Sequence, residues 1–447
     1  MNRNNPDRAG RIARAVLLGV FLAVPTSVFA QETCEFEGSV GANTAAERFR
    51  EITAETPDAE AMTLYQEALD AVRPELDGEN AVAYLMATQA QLGLGNLDEA
   101  LALIETFDEL APECGEYSTN MRMNGWVRRF NAGIDLYNAS DLQAALENFA
   151  GANAFRSDLR SANNAALIHQ ELGDIDNAIA TYRAGLENPG ADADPAQLQS
   201  AINGLGGALL AEGRTDEALA AYDSYLQSYP DDAIVLINYA LAAMDSGMTA
   251  EAGEIFSTVL SRDDLDAQQW VQVGVGLYNS EDYDGGTTAF GKGRAENPFN
   301  KEAMEGFVNA SVQAGRPGPV LALADTLVQW YPYDQTNYQL LASALARADM
   351  EDRAMAVIGD QEAADIVLTA QMGGGGGGNY VVRGTVEARG ASGTLSIPFE
   401  FVDAGGAVVA RETLSVPAPP EGQTESFQLN VSSGTPIAGF RYGKNGS

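Results

Sequence analysis

The sequence predicts a mainly α-helical chain: an α-α superhelix of about eight helical hairpins over residues 80–370, followed by a small all-β, sandwich-like domain over residues 379–447. Three observations predict it. Positions through the middle of the chain recur with a period of about 34 residues. The apolar pattern changes from helical to strictly alternating after Met372. Turn-forming residues fall between these blocks rather than inside them.

Residues 1–30 read as a secretory signal. Arg3, Arg8, Arg11 and Arg14 make a positive start, residues 15–24 form an apolar stretch broken by Pro25, and Val28-Phe29-Ala30 places small residues ahead of Gln31. The apolar run is too short for a comfortable membrane span. Cleavage after Ala30 and residence in the periplasm or outside the cell are expected, with an uncleaved anchor as the competing reading. No later segment approaches spanning length, so the mature chain is expected to lack a transmembrane segment.

Residues 31–79 form a strap and capping helices. The region around residues 45–76 reads as amphipathic helix, a degenerate repeat or an end cap. The chain has two cysteines, Cys34 and Cys114. An oxidising compartment favours a disulfide between them, against the alternative of two unpaired thiols. With a single histidine, His169, they cannot supply a conventional structural zinc site.

The repeat carries the argument. Ala218, Ala252, Gly286, Val320 and Ala354 follow one another at that one constant interval. So do Gly206, Ala240, Gly274, Val308 and Ala342, and so do Tyr222, Phe256, Phe290, Ala324 and Ile358. Small residues at the first two phases let two helices cross closely. The third, largely aromatic phase fills the wedge between hairpins. Pro230, Pro298 and Pro332 stand where one hairpin ends, since proline cannot extend a helix. In Gly213-Arg214-Thr215-Asp216, the glycine suits a helix C-terminus and Thr215 or Asp216 suits the next N-cap.

Residues 203–222, followed by Tyr229-Pro230, resemble a tetratricopeptide repeat nearly throughout. Weaker copies contain Gly133, Ala145, Phe149 and Ala152; Ala166, Gly173, Ala178 and Tyr182; and residues 92–100 closing at Pro112. Upstream the phase slips, with insertions around residues 113–122 and 189–195. The resemblance covers roughly residues 80–360 and implies a superhelix that binds other proteins on its concave side.

Residues 373–378 are six glycines in a row and read, within 371–378, as a flexible linker. A phosphate-binding loop would need a strand before it and a helix after it, the reverse of the expected order. Beyond, Tyr380, Val382, Gly384, Val386 and Ala388 alternate, as do Leu395, Ile397, Phe399 and Phe401, giving about five short strands. Phe399-Glu-Phe-Val-Asp403, followed by Gly405-Gly406, is similar to FxLYD-type β-domains of bacterial envelope proteins, departing from them at Phe401 and Val402. The resemblance implies accessory contact in the envelope.

Composition excludes several functions. The formal charge is −37, and removing a leader with four arginines and one aspartate takes it to −40. Such a field repels nucleic acid and anionic lipid. It serves solubility, life in a saline medium, or recruitment of cations and basic partners. His169 sits on a helix among packing positions, with no second histidine to work beside it. The acidic pairs Asp231-Asp232, Asp263-Asp264, Glu281-Asp282 and Asp192 with Asp194 fall at hairpin turns, where aspartate caps helices, and lack calcium-loop spacing. No cofactor, metal or enzymatic activity is expected.

Binding suits the architecture better. The first helix of each hairpin lines the concave face. On it the candidate partner-binding residues are Phe130, Ile134, Tyr137, Asn163, Asn203, Ile237, Leu241, Val271, Val275, Tyr278 and Asn309. The asparagines can satisfy an extended peptide backbone, because a carboxamide both donates and accepts; they serve equally as inter-repeat bonds. The face lacks the Lys/Arg set with which some tetratricopeptide proteins grip a terminal carboxylate. The expected function is a non-catalytic scaffold or adaptor of the cell envelope that binds a protein or peptide segment. The alternative is a structural or adhesive surface protein with an acidic, cation-binding face. The sequence leaves the oligomeric state open.

Overall fold

The structure, a computed structural model, describes Cys34, Phe36 and residues 38–374 and 378–444. The expected leader and its cleavage point after Ala30 lie outside the described residues. Eighteen α-helices precede six β-strands among the described residues, the mainly α class with a small β region that the sequence predicts. The chain forms two compact units that meet in sequence at Gly213 and Arg214.

The first unit holds α1 (Val40–Glu51), α2 (Asp58–Val72), α3 (Ala81–Leu94), α4 (Leu97–Leu110), α5 (Gly115–Asn138), α6 (Leu142–Phe155), α7 (Leu159–Glu171), α8 (Ile175–Glu187) and α9 (Pro195–Ala211). Helices α1 to α3 bury Phe49, Leu64, Tyr65, Leu69 and Leu85 together, with Phe107 of α4. Cys34 and Cys114 are bonded, with an S–S distance of 2.00 Å and a Cα separation of 5.2 Å. Beside them Phe36 packs on Phe107 and, edge-on, on Tyr117. The two upstream phase slips have local causes. Helix α5 is 24 residues long and absorbs the first insertion. A loop through Gly190 absorbs the second before Asp194 caps α9 and Pro195 opens it.

The second unit holds α10 (Thr215–Ser228), α11 (Ala233–Asp245), α12 (Thr249–Val259), α13 (Ala267–Asn279), α14 (Tyr283–Glu296), α15 (Lys301–Gln313), α16 (Leu321–Trp330), α17 (Gln335–Arg347) and α18 (Glu351–Glu362). The turn between the two helices of each hairpin from α3 onward contains one residue in the left-handed region. The last five, Gly213, Gly247, Glu281, Gly315 and Asp349, stand one repeat period apart. Asp232, Asp266, Asp282 and Asn300 cap helices through side-chain oxygens, and Asp266 with Gln269 makes a reciprocal capping box. Several of the turn acids are therefore caps. Helix α10 differs from expectation: its N-cap is Arg214, with no side-chain capping bond, and Arg214 pairs with Glu217 instead.

Aromatic rings and glycines interlock the hairpins. A β-carbon on Gly204 would meet Tyr182 at 2.4 Å, one on Gly276 would meet Phe256 at 2.2 Å, and one on Gly306 would meet Phe290 at 2.3 Å. In each case the ring belongs to the second helix of one hairpin and the glycine to the first helix of the next. Burying such a ring contributes roughly 1.5–3 kcal/mol, and only glycine lets the backbones come that close.

The β-region has six strands: β1 (Ile366–Gly374), β2 (Asn379–Ala388), β3 (Thr394–Val402), β4 (Val408–Pro417), β5 (Thr424–Ser432) and β6 (Gly439–Tyr442). All pairings are antiparallel, in two sheets of order β1-β2-β5 and β4-β3-β6. Leu395, Ile397, Phe399 and Phe401 turn inward from one sheet and Val382 and Val386 from the other, all fully buried. In the Phe399-Glu-Phe-Val-Asp403 segment the two rings fill this core. Asp403 accepts bonds from the amides of Gly405 and Ala407, both at 2.9 Å, and so ties the β3–β4 turn.

Two expectations need correction. The β-region does not start after the glycine run. Gly373 and Gly374 already belong to β1, with Ile366 opposite Ala388 and Gly374 opposite Tyr380, so the region begins at Ile366 with a sixth strand. Nor is the β-region tethered loosely. Helices α15 to α18 and the strands share one apolar core. The Tyr331 hydroxyl donates to Phe440 O at 2.7 Å, the amide of Leu368 donates to Tyr333 O at 3.0 Å, and Asn297 Nδ2 donates to Ala438 O at 2.8 Å. The sandwich is the end cap of the second unit.

Candidate partner-binding trough

In the second unit the first helices of three successive hairpins, α13, α15 and α17, line a depression of about 380 Å³. Val271, Val275, Tyr278 and Asn279 come from α13; Glu302, Glu305, Gly306 and Asn309 from α15; Thr336 and Leu340 from α17; Phe290 closes the floor from α14. The repeat explains the gathering. Glu305 follows Val271 by one repeat period, as Asn309 follows Val275 and Leu340 follows Gly306. One stripe of one helix face is presented three times.

The stripe is apolar with a polar rim. Val275 is 41% exposed, unusual for a valine on a helix that buries Trp270, Val273 and Leu277 on its other side. The ring of Tyr278 packs edge-on against Tyr283. Beneath the rim lies a largely buried charge cluster in which Asp334 is buried and Lys301 and Glu305 are half-buried. Lys301 Nζ is 2.7 Å from Asp334 Oδ2 and 3.0 Å from Glu305 Oε1, and it stands 5.3 Å from the centre of the Tyr331 ring. Burial alone would lower the Lys301 pKa, but the two carboxylates outweigh it and the net shift is upward. Burial pushes the Glu305 carboxyl up, with Lys301 opposing. Glu305 Oε1 is shielded from solvent, with Lys301 Nζ 3.0 Å away as its counter-charge. A second, smaller cleft of about 110 Å³, lined by Phe299, Lys301, Glu302, Met372 and Phe440 among others, lies between α15 and the sandwich. Lys301 borders it while Glu305 borders the first.

The structure brings Val271, Val275, Tyr278 and Asn309 to this one depression. It uses other candidates internally. Ile237 is buried in the α11–α13 core, so it offers no side chain to a guest, and Leu241 packs half-buried on the same cluster. Phe130 stacks on Trp126 at 4.8 Å and meets Phe149 edge-on. The Tyr137 hydroxyl donates to Glu171 at 2.5 Å, and Asn163 Nδ2 donates to Gln197 O at 3.2 Å, each bond reaching one repeat period ahead to the next hairpin. Ile134 is exposed on α5, and Asn203 is half-buried on α9. His169 lies on α7 with Nδ1 3.4 Å from Asp174.

Periodicity places Glu305 on the groove face beside Asn309, and the depression adds Glu302, Thr336 and Leu340, which the candidates drawn from sequence lack. The signal for them is in the sequence: each stands one repeat period from another residue lining the trough or the cleft beside it. The Lys301–Glu305–Asp334 cluster carried no such signal, because the pattern does not reveal which turn acid of the next hairpin a lysine will meet.

Residues 159–189 and 209–272 match family models of the tetratricopeptide repeat. The chain thus carries tetratricopeptide repeats, which usually mediate protein–protein interaction. No curated protein matches it. Solved structures similar to it include the MamA protein (18% identity, 36% of this chain and 87% of that one, TM-score 0.33). A tetratricopeptide repeat protein from Parabacteroides merdae shares 16% identity over 53% of this chain and 92% of that one, with a TM-score of 0.37. The C-terminal part of a TPR repeat-containing protein from Cytophaga hutchinsonii shares 16% identity over 53% and 95%, with a TM-score of 0.42.

Proposed function

We propose that this chain is a non-catalytic scaffold of the bacterial cell envelope that holds a segment of a partner protein in the trough of α13, α15 and α17. One observation carries the reading: an apolar, partly exposed stripe repeated on three helices opens beside the exposed carboxylate of Glu302. The guest that answers it is an extended segment with an apolar side chain for Val275 and Leu340 and a lysine or arginine for Glu302. The formal charge of −37 steers basic segments toward the chain and disfavours acidic ones. The leader supports export, and the Phe399–Asp403 segment supports an envelope setting for the sandwich.

Binding of the full chain to a library of extended peptides tests this. Peptides pairing an apolar residue with Lys or Arg are expected to bind best. Val275→Arg is expected to weaken them by about tenfold, near 1.4 kcal/mol, with the helical circular dichroism unchanged. Binding indifferent to Val275→Arg would move the site out of the trough.

A further inference from the structure

Strand β1 is an outer strand. Its sheet runs β1-β2-β5, so one side of β1 has no strand beside it. Two observed hydrogen bonds fix which main-chain groups face that side. The amide of Arg389 donates to Asp365 O at 2.8 Å, so Asp365, Val367, Thr369 and Gln371 spend their main-chain bonds on β2. The residues between them turn theirs outward. Leu368 does so, its amide donating to Tyr333 O at 3.0 Å and its carbonyl accepting from the Tyr442 hydroxyl at 3.3 Å. Ala370 and Met372 follow in the same phase. Their amides and carbonyls point away from β2, and among the described residues no donor or acceptor meets them. Such an edge is a template for another extended chain, and folded proteins ordinarily cover it. Ala370 and Met372 line the cleft of about 110 Å³, facing Phe299 and Glu302 at the start of α15 and Phe440 of β6.

We infer that an extended segment of a partner protein adds to β1 as a further strand, pairing its main chain with Ala370 and Met372. The inference rests on the trough reading and extends it: the guest held against α13, α15 and α17 runs on into the cleft. Three observations select this occupant. Amides and carbonyls that recur at every second residue of a strand are matched by an extended main chain and not by a helix. The edge is recessed, with the first turn of α15 on one side and β6 on the other, so a single segment reaches it and the sheet of a second folded copy does not. Glu302 lines both depressions, held at their junction by a bond from Gln268 Nε2 at 3.4 Å, so trough and cleft form one track. The two halves divide the work. Side chains in the trough select the guest, and main-chain pairing at β1 holds it whatever its sequence there.

Peptides that pair an apolar residue with Lys or Arg, titrated into the full chain, test this. Met372→Pro removes an amide that faces away from β2 and leaves the β1–β2 ladder its bonds. It should weaken binding by about tenfold, while Met372→Ala, which keeps the amide, should stay within about twofold. Equal losses in the two variants overturn the inference, since the side chain would then be the contact. Two measurements on the unmutated chain do not depend on how the variants fold. N-methylation of alternate amides along the peptide should weaken binding by about tenfold in one phase and leave it unchanged in the other. Residue-resolved hydrogen exchange should find the Ala370 and Met372 amides fast in the free chain and slowed once peptide is bound. Binding without that slowing overturns the inference. So do amides already slow without peptide, which would mean that this chain covers its own edge, or a two-chain mass abolished by Met372→Pro. Loss on Val275→Arg alone keeps the trough and overturns the added strand. Loss on Met372→Pro alone keeps the strand and takes the guest out of the trough. A chain that binds none of the peptides overturns both.

Discussion

Phe290 of α14 lies so close to Gly306 of α15 that a β-carbon on the glycine would come within 2.3 Å of the ring. The same ring also faces Gly274, at 2.8 Å by the same measure, so it is clamped on both sides. Gly306→Ala is expected to destabilise by about 1–3 kcal/mol through overpacking, although alanine is the better helix former. Gly359→Ala, with open space around it, should stabilise the chain by about 0.5–1 kcal/mol. Denaturant midpoints of the two variants should therefore move in opposite directions; movement in the same direction would mean propensity, not fit, governs these glycines.

The half-buried Lys301 holds two carboxylates in place. Lys301→Met would strand Asp334 and Glu305 without a counter-charge, beside the hydroxyl link from Tyr331 to the sandwich. The expected loss is about 3–5 kcal/mol. Chemical denaturation monitored at Trp330, which stacks on Phe299 nearby, reads it. A loss below about 1 kcal/mol, the range of an exposed pair, would show that water already screens the cluster.

Two glutamates should give stability opposite pH dependences. Burial raises the folded pKa of Glu305 above its ordinary value of 4.5. Its contribution is thus complete below that value and is lost as pH rises through the folded pKa. Glu400 is held below the ordinary range, chiefly by its bond from Arg441 at 2.7 Å and then by Arg411. Its contribution is present above 4.5 and is lost as pH falls through the folded pKa. Against the glutamine variant at each site, the wild type should gain melting temperature on acidification for Glu305 and lose it for Glu400. Parallel slopes at the two sites would contradict the assignment.

Reduction of the Cys34–Cys114 bond releases a loop of sequence separation 80. It should destabilise the first unit by about 2–4 kcal/mol. Trp126 is the tryptophan of that unit, while Trp270 and Trp330 belong to the second. In a chain lacking the latter two, reductant should shift the fluorescence transition. An unshifted transition would mean that the contacts of Phe36 with Phe107 and Tyr117 hold the strap without the bond.

The hairpin stack was legible because one spacing sets the crossing positions, the aromatic wedges and the left-handed turn residues alike. Strand β1 was not. Ile366, Leu368 and Ala370 alternate inward, but they follow α18 with no Gly or Pro signal between them, and the glycine run after them reads as a boundary when it joins two paired strands. Periodicity also places a residue on a helix face without saying what faces it. Val275 and Ile237 look alike in sequence; one lines a trough and the other is buried between helices. Tyr137 and Asn163 could greet a guest by residue type, yet they bond to the neighbouring hairpin.

The bond from Tyr331 to Phe440 joins residues 109 positions apart. A ribosome therefore releases the last hairpins long before it releases the strand that seals them. Until β6 is in place, Tyr331 lacks the Phe440 and Tyr442 rings that pack on it, and Tyr333 lacks Tyr442. A chain cut within the glycine run would therefore expose aromatic surface on the last hairpins and favour association through it.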